Sequence, residues 1–115
     1  MIFVTGPLFA GKQEYIAAAL GWNAAELAER AVVDAHLLAA KADDLAALAD
    51  AIAQKPVVIA AEVGGGVVPI DPAQREAREK AGRLACLLAV RADCVVRVCC
   101  GLGQVLKGRL PPKES

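Results

Sequence analysis

Ile2-Phe3-Val4-Thr5-Gly6-Pro7-Leu8-Phe9-Ala10-Gly11-Lys12-Gln13 opens the chain: an apolar run that passes through a glycine-framed turn into Lys12. The apolar residues read as a strand, Gly6 to Gly11 as a tight loop, and the stretch from Lys12 as a helix that Gly21 stops after Leu20. Such a unit aims backbone N–H groups into a concavity at a helix N-terminus and brings a lysine to the same point. Those are the requirements for holding the phosphates of a nucleotide, with Gly6, Pro7, Leu8, Phe9, Ala10, Gly11, Lys12 and Gln13 as the cradle. One position departs from the pattern. A Ser or Thr hydroxyl that binds Mg²⁺ is expected where Gln13 presents an amide, so nucleotide binding has more support than phosphoryl transfer. A glycine turn carrying a solvated lysine is the plain alternative, and the strand before it and helix after it weigh against it.

Outward from the loop the elements alternate. Asn23 with Glu26 three residues on forms a capping box for a helix from Ala24 to about Arg30, and Ala31-Val32-Val33-Asp34 reads as a short buried strand. Asp43 and Asp44 cap an alanine-rich helix with Leu45, Leu48 and Ile52 on one face. Residues 56–61 are a second strand-length apolar run. Asp71 and Pro72 start a helix carried by Ala77, Ala81, Leu84 and Leu88 to about Val90, and Cys94 to Cys99 is the last strand read. Strands apolar on both faces and separated by helices imply an α/β three-layer fold with a small, mainly parallel sheet of four strands. One domain over residues 1–108 and a flexible tail over 109–115 follow from a length of 115 residues and a tail with little to bury.

Composition narrows the partners. Thirteen basic and thirteen acidic residues give zero net charge, so no basic stripe points to nucleic acid or an anionic membrane. No apolar stretch reaches the roughly 20 residues of a membrane span, and no basic region precedes an apolar one at the start, which directs the expectation to the cytoplasm. With 57% hydrophobic residues and no net charge, self-association is expected. Cys86, Cys94, Cys99 and Cys100 lack C-x-x-C spacing and sit in apolar segments, so buried reduced thiols are expected rather than a zinc site or a disulfide frame.

Ligands in parallel sheets collect at the carboxyl ends of the strands. Besides the loop, Asp34 and Glu62 fall there, and an acid ending an apolar strand near a phosphate loop is suited to hold Mg²⁺ or to act as a catalytic base. Asp34 reads equally well as a turn or cap residue. For Glu62 the three glycines that follow, Gly64 to Gly66, imply a sharp turn or a close approach.

Glu62-Val63-Gly64-Gly65-Gly66-Val67-Val68-Pro69 resembles the Asn-Glu-Val-Gly-x-Gly-x-Val-Pro signature of the bifunctional adenosylcobinamide kinase / adenosylcobinamide-phosphate guanylyltransferase family of cobalamin biosynthesis. The order of later segments, from Arg75 through Leu84 to Val95–Gly101 and Lys107-Gly108, is similar too, so the resemblance covers most of the chain. It implies a P-loop NTPase-like fold, GTP or ATP with Mg²⁺ at the loop, adenosylcobinamide as the substrate of an ATP- or GTP-dependent kinase, and a homo-oligomer, a trimer before a dimer. Departures bear on the chemistry: Gln13 replaces Ser or Thr, Ala61 replaces the Asn before the glutamate, and Ala85-Cys86 replace an Asn-Gln pair. Family members also carry several tens of residues between the first helix and the Asp-bearing strand, including the histidine that accepts GMP. Here about ten lie there, and the sole histidine, His36, follows Asp34 and reads as a capping or partly buried residue. The expectation is a nucleotide-binding protein without guanylyl transfer, the alternative being a partner or regulatory subunit that has lost phosphoryl transfer.

Overall fold

In the computed structural model, which describes residues 1–62 and 71–113, five strands form one sheet in the order β2-β3-β1-β4-β5. The strands are β1 (Ile2–Gly6), β2 (Ala31–Val32), β3 (Val57–Ala61), β4 (Cys94–Cys99) and β5 (Leu102–Lys107). The first four run parallel, with Val4 opposite Ile59 on one side and Val96 on the other, and β5 returns antiparallel to β4. The helices are α1 (Lys12–Leu20), α2 (Ala24–Arg30), α3 (Ala35–Ala39), α4 (Leu45–Ile52) and α5 (Pro72–Arg91).

Alternation along the strands sorts the core onto two faces. Ile2, Val4, Val57, Ile59, Cys94, Val96 and Val98 meet Ile16 and Leu20 of α1 and Leu27 of α2. Phe3, Val58, Ala60 and Val95 meet α3, α4 and α5 through Ala35, Ala39, Ala49, Ile52, Leu84 and Leu88. The three-layer α/β fold expected from the sequence is therefore the observed one, and β1 and β3, buried on both faces, form its centre.

Local signals placed most ends. Asn23 and Glu26 make the reciprocal capping box, Gly21 closes α1 in the left-handed conformation, and Asp71 caps α5 with Pro72 in its first turn. Two elements were not read from sequence, α3 and β5, so the sheet has five strands and not four. β2 is also shorter than expected, ending at Val32. The stripe Leu45, Leu48, Ile52 and the face around Leu84, Leu87 and Leu88 pack on their own sheet. Exposed apolar side chains lie elsewhere, at Leu8, Phe9, Leu37, Leu38, Val90 and along β5. Leu110 of the tail rests against the α1–α2 side of the core. Cys94 alone among the cysteines is buried; Cys86, Cys99 and Cys100 are exposed, contrary to the expectation of buried thiols. No described helix is long and apolar enough to cross a membrane.

Candidate functional site

The chain leaves β1 toward α1 on one face and leaves β3 toward α5 on the other, so the carboxyl ends of these neighbouring strands form a topological switch point. The loop after β1 stands there. Gly6 has φ of 151°, and a Cβ at this position would collide with the Val98 carbonyl oxygen of β4, so only glycine fits. Gly11 N-caps α1 in the left-handed conformation and offers no side chain to its first turn. The Ala10 carbonyl accepts a hydrogen bond from Gly101 N–H at 2.8 Å, which ties the loop to the β4–β5 turn.

Lys12, 9% exposed, is the buried charged residue of the described chain. Its Nζ donates to the Pro7 carbonyl at 2.7 Å, across its own loop, and among the described residues it pairs with no carboxylate. A desolvated ammonium with one carbonyl partner keeps donors free and gains most from an anion. A cleft of about 580 Å³ opens beside it, walled by the loop and first turn from Leu8 to Glu14 and by Asp34 and Ile59. Leu8 and Phe9 form an exposed apolar tip on this wall, Phe9 at φ 59°.

Asp34 sits two residues beyond β2 at φ 57°, heading α3 without a side-chain capping bond, and faces the cleft. It holds a cap position and lines the cleft together with Glu14. Glu62 follows β3, its N–H donating to the Gly6 carbonyl at 2.7 Å. Its carboxylate does not line the cleft; it accepts from Arg97 Nε at 2.6 Å and Nη2 at 3.0 Å, a two-pronged pair spanning β1. Glu62 holds the Arg97 guanidinium further toward its charged form, first through these hydrogen bonds and then through its charge. Of the residues expected to form the cradle, Leu8 through Gln13 line the cleft, and Gly6 and Pro7 do not. Val63 to Pro69, with the three glycines expected to turn sharply, lie outside the described residues.

Sequence reading had not singled out Arg97. The signal was present, a lone charge inside Val95-Val96-Arg97-Val98 that needs a counter-ion at the strand end. His36 has a structural post. β2 stops at Val32, opposite Val58, so the Ala61 N–H further along β3 has no strand to meet, and His36 Nδ1 accepts it at 3.0 Å. Burial lowers the His36 pKa, the Asp34 carboxylate pulls it back up, and the Lys12 ammonium lowers it again. Among the described residues no group of three or more His, Cys, Asp or Glu side chains is placed to hold a metal ion.

A mainly parallel sheet covered by helices on both faces, with a glycine-framed loop and a buried lysine at its switch point, gives an α/β fold of the P-loop-like class. Within that class the chain belongs to the cobinamide kinase / cobinamide phosphate guanyltransferase family, whose model matches residues 17–106. The matched span takes in Asp34, Glu62 and Arg97 and starts beyond the loop, so residues 6–13 stand on their own geometry. No curated protein matches the chain.

Proposed function

We propose that the protein binds GTP or ATP with the phosphates against the 6–13 loop, and that it does not transfer guanylyl groups. The observation that carries this reading is Lys12, buried, unpaired with any described carboxylate and set in the wall of the 580 Å³ cleft. The loop amides and the α1 N-terminus receive phosphate oxygens, and Lys12 turns from the Pro7 carbonyl to the anion. Mg²⁺, when bound with the nucleotide, would supply charge neutralisation at the phosphates, and Asp34, one of the two carboxylates lining the cleft with Glu14, would hold it. Glu62 would take part as ligand or base only after exchanging Arg97 for that role. Lys12→Ala is expected to weaken binding by about 1.5–3 kcal/mol, roughly tenfold or more. Calorimetric titration of GTP and ATP with and without Mg²⁺ checks it, and equal affinity in the variant removes the loop as the site.

Adenosylcobinamide is the substrate toward which family membership directs a kinase assay. A second reading, a non-catalytic partner or regulatory subunit of that pathway, draws on Gln13 in place of a hydroxyl and on Glu62 being held by Arg97. Guanylyl transfer should be absent because forming a phosphoramidate needs an imidazole at the α-phosphate, and His36, the one histidine, has Nδ1 engaged with Ala61. Incubation with α-labelled GTP should leave no protein-bound GMP; an acid-labile adduct lost in His36→Ala would make His36 the nucleophile. Cytoplasmic residence and self-association, as a trimer or a dimer, complete the reading.

A further inference from the structure

The turn that buttresses the phosphate loop carries two adjacent thiols. Cys99 pairs with Leu102 across the hairpin, leaving Cys100 and Gly101 as its two central residues at φ 54° and 73°. Positive φ at both positions is the type I′ arrangement, where Asn-Gly or Gly-Gly is the usual choice. A cysteine in the first of these positions adopts a conformation disfavoured for its type, and such an outlier points to a use for the side chain. Cys99 and Cys100 are both exposed, and their Sγ atoms lie 4.0 Å apart. On the next residue, Gly101 N–H donates to the Ala10 carbonyl of the loop at 2.8 Å.

We infer that Cys99 and Cys100 form a reversible thiol modification site, closed to a vicinal disulfide by a small-molecule disulfide such as oxidised glutathione. One cysteine thiolate attacks a sulfur of the reagent, breaking its S–S bond, releasing one glutathione thiolate and leaving a mixed disulfide on the protein. The neighbouring thiolate then attacks the protein-bound sulfur and displaces the second glutathione. Two electrons pass from the cysteine pair to the reagent, and the two thiol protons end on the two glutathiones. Closing the ring brings the sulfurs from 4.0 Å to about 2.05 Å, which turns the backbone between the two residues and with it the Gly101 N–H that holds Ala10. The oxidised turn therefore grips the phosphate loop differently, and nucleotide affinity falls; this second effect rests on the nucleotide-binding reading above.

Intact-mass and peptide analysis of the full chain treated with oxidised glutathione reads the modification without any nucleotide. The expected product is a peptide about 2 Da lighter than its reduced form that holds Cys99 and Cys100 as a disulfide, with exposed Cys86 on another peptide, free for alkylation or carrying its own glutathione adduct. Cys99→Ser and Cys100→Ser should each stop at a glutathione adduct on the remaining thiol. Separate adducts on both cysteines of the parent, or a disulfide between two chains, overturn the site. GTP titration should then show about fivefold or greater weakening in the oxidised protein, reversed by dithiothreitol. Unchanged affinity overturns the coupling. A reduced protein that binds no nucleotide defeats the loop reading alone, since the mass result still decides the thiol site.

Discussion

His36 shows how one side chain acquires a post from the element beside it. The short β2 leaves the Ala61 N–H unpaired by backbone, and an unprotonated Nδ1 is the acceptor that answers it. Burial holds the His36 pKa below its ordinary value of about 6.5, Asp34 pulling it up and Lys12 down, and protonation would also break this bond. The unfolded chain then takes up the proton first as pH falls. Stability from this residue is full above about pH 6.5, declines as pH drops through that value toward the folded pKa, and levels off below it. Denaturant unfolding at a series of pH values should show this slope in the parent and lose it in His36→Leu, which also sacrifices about 1–3 kcal/mol at pH 7.5 by orphaning Ala61 N–H. An unchanged slope in the variant would assign the pH dependence to other groups. The capping role of His36 was legible in its position after a strand end, whereas its partner, set by where β2 stops, was not.

At the scale of elements, the sequence was readable wherever a local signal fixed an end. The Asn23–Glu26 box, Gly21, and Asp71 with Pro72 each act within a few residues of themselves, and α1, α2 and α5 fall where they direct. α3 and β5 escaped because their making is nonlocal. α3 is five residues headed by a left-handed Asp34 and held by Ala35 and Ala39 against the core. β5 is exposed along its whole length, so no burial pattern marks it, and its existence depends on pairing with β4. Lys107 reinforces that pairing by donating to the Ala89 and Val90 carbonyls near the end of α5. The type I′ turn was hidden because Cys100 occupies the asparagine position. Cys100→Asn should relieve the backbone mismatch and raise stability by about 1 kcal/mol, read as a higher denaturant midpoint at unchanged m-value. A lower midpoint would mean that the thiol makes contacts worth more than the conformational preference.

For the molecule as a whole, the two sheet edges differ in what they offer a second copy. β2 is two residues long and presents almost no ladder, while β5 offers six residues with one side unpaired. Natural edges of that length are usually blunted by charge, proline or a bulge, yet Leu102, Val105 and Leu106 are apolar and exposed, and the charge of Lys107 is directed to α5. The bulge in the β4–β5 ladder lies at Val95/Val96, on the paired side. Low net charge adds nothing to keep copies apart. Two β5 strands meeting antiparallel form an isologous contact that closes at two copies and extends the sheet across the pair, whereas a trimer needs β5 to meet a different surface. Light scattering after size exclusion at micromolar concentration should therefore give twice the chain's 11.9 kDa, with Val105→Lys/Leu106→Lys returning it to the single-chain mass. Three times that mass, unaffected by the double variant, would move the contact away from β5, and a parent that elutes at 11.9 kDa would reject self-association.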